Sequence, residues 1–218
     1  METARDRAEK IISSWSTLYD ARNRFLKSYR TVWDIPLKNN RTQVLFEEIS
    51  PGANVFEIGS SDRHLEGVLT NAVPNVTYKS MDIDRETRHD YYDLDAVDET
   101  FDAVLLFEVI EHLPFAEGVR LLARAFELLH PGGKLIMTTP NIAHPTHYYR
   151  DPTHVQPWSH EGLGGALTAL GFDSVRCYRI FDAPAFEKLM RVYVTAWLAR
   201  YLGIDFAHSL LVVASRAT

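Results

Sequence analysis

Five acidic residues occupy positions that a ligand could use. Asp62, Asp82, Asp93 and Glu108 each follow a short apolar run, and Glu57 sits inside the first of those runs. An ionised carboxylate only accepts hydrogen bonds, and it can accept two at once. After one strand it can take both hydroxyls of a ribose. After another it can take the amino group of an adenine, and within a strand it can hold an ammonium group. The set suits a ligand with a ribose, an adenine and a charged amino-acid tail. It does not suit a pyrophosphate, which wants bare amides and positive charge.

A second group gathers around the fourth run. Glu108, Glu111 and His112 form E-x-x-E-H. That spacing can bring two carboxylates and an imidazole toward one point, with His154 as a fourth donor from the DPTHVQPWS loop. Such a set can hold a divalent ion, and oxygen-rich ligation suits magnesium or manganese. The competing reading leaves Glu111 and His112 structural. His112 and His154 are also candidate general bases, in a region that adds His144, His147 and His160, because histidine titrates near neutral pH. Tyr148, Tyr149, Arg150 and Trp158 stand near the same mouth. They read equally as a stacking surface and as loop core.

The elements that must position these residues follow from periodicity. Strands are expected at 54–58, 76–81, 91–93, 103–107, 134–139, 175–181 and 210–214. Helices are expected at 42–49, 64–70, 115–129, 160–170 and 185–202. AVLLF at 103–107 is a continuous apolar run, the mark of a strand buried on both faces. Strands separated by helices predict an α/β, Rossmann-like doubly wound sheet, and ligands there sit beyond the carboxyl ends of the strands. Residues 1–39 read as a helical extension, with an amphipathic stripe through Ile11, Trp15, Tyr19 and Phe25 that packs on the main domain or forms a lid. Residues 40–218 read as the ligand-binding domain, with substrate-side insertions near 141–158 and 181–208. The stripe Leu189, Tyr193, Trp197 and Tyr201 reads first as core and second as a homodimer contact.

The segment from about Asn40 to Ala214 resembles the class I S-adenosylmethionine-dependent methyltransferases, in the broad group that includes the ubiquinone O-methyltransferases. The matching stretches are VFEIGSSD, KSMDID, TFDAVLLFEVIEHL, LLHPGGKLIMTTPN and LGF, in that order. The resemblance implies seven strands, mostly parallel, with LLVVA as a reversed last one. It implies that Glu57, Gly59, Ser60 and Ser61 line the methionine and ribose part of S-adenosylmethionine. Asp82 would take the ribose hydroxyls, with Ile83 against the adenine and Asp93 and Leu94 at its edge. Phe107 would offer its carbonyl to the methionine amine. The E-x-x-E-H set resembles that of ubiquinone O-methyltransferases and bacterial small-RNA 2′-O-methyltransferases, where a divalent ion gathers adjacent hydroxyls. The family loop commonly has glycine where this chain has Ser61 and Arg63. Serine at 61 can still present a backbone amide, whereas arginine at 63, if that position needs positive φ, costs about 1 kcal/mol or more. Arg63 would lie over the cofactor carboxylate or point outward.

Bulk properties narrow the acceptor. The chain has 218 residues, 46% hydrophobic, and a formal net charge of -6, which disfavours a nucleic-acid substrate. Its single cysteine, Cys177, permits neither an intrachain disulfide nor a thiolate zinc cluster. A charged Met1–Lys10 with no apolar run behind it reads as cytoplasmic, with no membrane partner. The leading reading is a methyltransferase acting at oxygen on a small molecule or saccharide. The alternative is a cofactor-binding protein that has lost transferase activity and serves as a partner or regulatory subunit.

Overall fold

The computed structural model describes residues 2–218. Seven strands form one sheet: β1 (Leu37–Lys38), β2 (Asn54–Ile58), β3 (Thr77–Met81), β4 (Phe101–Phe107), β5 (Leu129–Pro140), β6 (Ser174–Ile180) and β7 (Ser209–Ser215). Their order is β1-β6-β7-β5-β4-β2-β3. Only β7 is reversed, running antiparallel to both β5 and β6. The helices are α1 (Ala4–Ser13), α2 (Trp15–Phe25), α3 (Arg41–Glu48), α4 (His64–Ala72), α5 (Phe115–Glu127), α6 (His160–Leu170), α7 (Ala185–Leu189) and α8 (Ala196–Tyr201).

The centre of the sheet explains the apolar run. Val104 and Leu106 of β4 join one core cluster with α1, α5 and α6. Ala103, Leu105 and Phe107 join a second cluster with α3 and α4. Alternate side chains thus leave water on opposite faces, each large one contributing about 1.5–3 kcal/mol. The strands therefore end together, and β2, β3, β4 and β5 deliver their next residues to one rim.

Three expectations need correction. Tyr91 and Tyr92 do not form a strand. Tyr91 makes a single parallel bridge with Met81, and the seventh strand is instead the two-residue β1, paired with β6. Asp93 then accepts from the Asp95 amide and starts a short 3-10 turn, Leu94–Ala96, which ends the pairing. The N-terminal stripe is split, because Ser14 is extended (φ -126, ψ 104) between α1 and α2. The break resets the helical phase. Ala4, Ala8, Ile11, Ala21 and Phe25 are buried, whereas Trp15 is 74% exposed. The expected helix at 185–202 is also broken, by a π-turn at Met190–Val194 between α7 and α8. Its aromatic stripe is not core. Tyr193 is 78% exposed, Trp197 69% and Tyr201 83%.

A buried ionic network closes the C-terminal side of the sheet. Asp205 is 1% exposed. One of its oxygens accepts from the Arg179 guanidinium and the Phe206 amide, both at 2.8 Å. The other accepts from the Asn141 side-chain amide at 2.8 Å. Arg179 also donates to the Ile35 carbonyl and stacks 4.6 Å from the Trp33 ring centroid. Removing one member leaves a buried charge without its partner, which costs several kcal/mol. Asp205→Ala is expected to lower the unfolding free energy by about 3–5 kcal/mol in denaturant titration, and a change under about 1 kcal/mol would refute the role given to the network.

Candidate active site

The loop after β2 answers the question of its missing glycines. Gly59, Ser61 and Arg63 all have positive φ, at 74°, 46° and 58°. At Gly59 a Cβ would also lie 2.4 Å from the Val109 side chain, so no larger residue fits there. Ser61 and Arg63 keep the left-handed backbone at about 1–2 kcal/mol each. Hydrogen bonds offset that strain. The Gly59 amide donates to the Met81 carbonyl at 2.8 Å, the Ser61 amide to Asp82 Oδ2 at 2.7 Å, and the Arg63 amide to the Ser60 carbonyl at 2.8 Å. The Arg63 side chain bonds Glu66 at 3.0 Å and the Arg88 carbonyl at 3.0 Å, and it pairs with Asp90 at 3.3 Å. It fastens the 82–90 loop to α4 and is occupied by those partners.

The remaining cofactor candidates are set around this loop. Asp82 is fixed on both sides, since its Oδ1 accepts from the Asp84 amide at 2.9 Å. Each of its oxygens keeps a lone pair free. Ile83 beside it is 83% exposed. Phe107 lies one residue past the last β2–β4 pair, Ile58 with Leu106. Glu57 is buried and accepts from the Tyr78 hydroxyl; burial pushes its carboxyl up to about 7. Ser60 turns inward, its hydroxyl 3.0 Å from Nδ1 of the buried His89. His89 also contacts Ser80 and was not singled out in the sequence, where it sits in a polar run without periodicity. Asp93 and Leu94 line a 430 Å³ groove with α1 and α5.

The second group converges on the other side of β4. Ligand atoms of Glu111, His112 and His154 lie within 4.8 Å of one another. Glu111 is fully buried. Its Oε2 accepts from Thr139 at 3.1 Å, and its Oε1 has no hydrogen-bond partner. Burial first, and the Glu108 charge second, push its carboxyl up to about 8. His154 Nδ1 is 2.7 Å from the Tyr148 carbonyl and must donate to it. In the neutral ring Nε2 is then bare, 4.0 Å from Glu111 Oε1. His112 Nδ1 is held by the Thr153 hydroxyl at 3.0 Å. An orphaned buried carboxylate oxygen beside a bare imidazole nitrogen fits a cation. Glu108, with φ 53°, lines a 480 Å³ cleft over this group together with His112, His147, Arg150 and His154.

The other aromatic and histidine candidates divide. Trp158 is core: it is 2% exposed, donates to the Ile110 carbonyl and stacks on Phe115. Tyr148 is buried and Tyr149 exposed. His160 is buried at the start of α6, outside the cleft. His144 and His147 join His208, which the sequence did not single out, in a cluster with ring centroids 5.1–5.8 Å apart.

A sheet with one reversed strand, a tight glycine turn after its first long strand and an acid after the next defines the class I methyltransferase architecture. Residues 33–177 match the family described as a methyltransferase domain, and the chain belongs to that family. Solved structures share the fold at low identity. An S-adenosylmethionine-dependent methyltransferase from Archaeoglobus fulgidus is 18% identical with TM-score 0.63, over 81% of this chain and 90% of that one. One from Mesorhizobium loti is 16% identical with TM-score 0.57, over 80% and 95%. A Haloferax volcanii complex of the Trm112 methyltransferase activator with a methyltransferase gives 16% and 0.58, over 81% and 88%. No curated protein matches the sequence. Among the described residues no helix is long and apolar enough to cross a membrane.

Glu57 gives a pH test. Its folded value, about 7, lies above the ordinary 4.5, so its contribution to stability is full below about 4.5 and is lost as pH rises through about 7. Between about pH 5 and pH 8 the wild type is expected to lose about 2–3 kcal/mol more unfolding free energy than Glu57→Gln. Parallel profiles from denaturant titration would show that Glu57 ionises freely.

Proposed function

We propose that the protein transfers a methyl group from S-adenosylmethionine to a hydroxyl of a small, saccharide-type acceptor seated in the cleft over Glu108, Glu111, His112 and His154. The observation that carries this reading is the unpaired, buried Oε1 of Glu111 beside His154 Nε2. The sulfonium supplies an already activated methyl, so the chain's task is to orient the acceptor and move one proton. Gly59, Ser61 and Asp82 would bind the ribose and methionine portion, with Glu57 and the Phe107 carbonyl facing the amine. A cationic amine beside Glu57 would favour its ionised form.

Magnesium or manganese would be held by Glu111, His112 and His154, with Glu108 at the cleft wall. Bound there, a divalent ion would acidify an acceptor hydroxyl and fix its orientation. Without an ion, His154 Nε2 would instead serve as the base, because Tyr148 holds its other nitrogen protonated. The reading as a binding protein without transferase activity rested on Ser61 and Arg63. Both keep the left-handed backbone of a glycine loop, which favours the enzyme.

S-adenosylhomocysteine should bind in calorimetry, and Asp82→Ala should weaken it about tenfold or more; unchanged affinity would remove Asp82 from the ribose site. Manganese binding followed by electron paramagnetic resonance should be lost in Glu111→Ala. Methyl transfer to a hydroxylated sugar panel should fall on chelation and return with magnesium or manganese. Full activity after chelation, and in Glu111→Ala, would end the metal assignment.

A further inference from the structure

Groups of both charges line the cleft over Glu108. Its acids are Glu108 and Asp151, the last already accepting from the Thr153 amide and hydroxyl. Its basic groups include His147 and Arg150. His208 stacks on His147 with centroids 5.1 Å apart and planes at 22°. His144 lies edge-on to both. No ion pair within 4.0 Å engages Arg150 among the described residues, whereas Arg191, farther back, is paired with Glu187 at 2.8 Å. Burial first, and Arg150 with it, holds His144, His147 and His208 below the ordinary imidazole range, and Arg191 adds to this at His144 and His208. His147 Nδ1 is buried without a partner. On a chain of net charge -6, an arginine in a cleft with no carboxylate within 4.0 Å of it needs a reason.

We infer that Arg150 and His147 bind an anionic group, a carboxylate or a phosphate, carried by the acceptor whose hydroxyl lies toward Glu108, His112 and His154. The inference rests on the methyltransferase reading for the word acceptor, and on the cleft alone for the anion. Arg150 presents a planar donor fork suited to two oxygens, and His147 and His208 offer ring N–H groups once an anion favours their protonation. A neutral sugar would leave Arg150 unpaired.

The full chain, labelled to report histidine ring signals by NMR, separates the cases. Inorganic phosphate and glucuronate are the anionic probes, with glucose as the neutral control. Saturable shifts of the His147 and His208 signals with either anion, weakened about tenfold by Arg150→Gln, are expected. Response to phosphate alone assigns a phosphoryl group, and response to glucuronate alone a carboxylate. Equal response to glucose, no response to either anion, or an unchanged affinity in Arg150→Gln overturns the inference. S-adenosylhomocysteine calorimetry on the same samples tests the methyltransferase reading separately. Binding there without an anion response sinks only the anion site.

A second observation stands apart from the cleft. Phe186, Tyr193, Trp197 and Tyr201 are 69–83% exposed, and Leu189 and Leu202 are more than half exposed beside them. The cations of this segment turn back to the body: Arg191 lies 5.6 Å from the Phe181 centroid and Arg200 4.9 Å from that of Trp33. The outward face is therefore mostly apolar; Arg200 is exposed at its ring contact, and Arg191 and Glu187 are paired with each other at 2.8 Å. At roughly 150 Å² per exposed aromatic, the four rings and their aliphatic neighbours approach the ~800 Å² that each partner buries in a standard interface. An anionic bilayer would repel a chain of net charge -6 and would want those cations at the rim. We propose that the face from α7 to α8 is an isologous contact between two copies of this chain. Sedimentation of the full chain is expected to show a dimer at about 10 μM that Trp197→Glu and Tyr193→Glu each convert to a folded monomer. A wild-type monomer at that concentration overturns the proposal. So does a dimer that both variants preserve, or a monomer that binds phosphatidylglycerol vesicles through Trp197.

Discussion

The substrate end of the molecule hangs on one carboxylate that water does not reach. Asp205 joins Arg179 on β6, Asn141 just past β5 and the Phe206 amide before β7. Through Arg179 the same charge reaches Ile35 and Trp33 in the N-terminal extension. Four separate stretches thus meet at one ion pair, whose desolvation is offset only because both carboxylate oxygens and most donors find partners. Asn141 opens the 141–158 loop, and its own amide donates to the His208 carbonyl. The loop that brings His147, Arg150 and His154 to the cleft therefore starts from a fixed point. A neutral, apolar replacement could be as stable, yet it would not specify where that loop begins.

On the cofactor side, geometry is kept by means other than composition. Glycine is indispensable only at 59, where both the φ angle and the Val109 contact demand it. At 61 and 63 the same backbone is held by hydrogen bonds from the neighbouring strand end and by Arg63's grip on Glu66, Asp90 and the Arg88 carbonyl. A side chain at 63 adds strain and also supplies the clasp that offsets it. The loop is an instance of local strain retained where surrounding contacts over-determine the conformation.

How much of this could be read beforehand depended on whether the signal was local. α6 is legible because Ser159 caps its start and Gly171, at φ 97°, stops it. β2 is legible because an apolar run ends at a glycine that must turn. The Glu111–His112 pair was visible because its spacing lies within one turn, and His154 was reachable because a short loop separates it. The third strand failed because Tyr91 and Tyr92 look β-prone, yet the Asp93 cap just beyond them turns the chain. The stripe at 189–201 shows the limit of periodicity, which says that residues share a face and not what covers it. His208 joins His144 and His147 only through the β5–β7 register, which sets Ser209 opposite Pro140. No pattern within either segment carries that pairing.

The two carboxyls pushed up by burial, Glu57 and Glu111, sit on opposite sides of β4, and each is partnered on one oxygen only by a hydroxyl donor. A buried carboxyl left in that condition resists ionisation, and the simplest relief is a cation brought from outside. The amine of the cofactor can supply one and a divalent ion the other. In that arrangement the site is incomplete by itself: its buried acids are balanced only when ligands are present. Binding of both would then release protons from these carboxyls. The unpaired Arg150, beside His147 and His208, follows the same logic with the sign reversed: an anion on the acceptor would complete a charge that the fold leaves open.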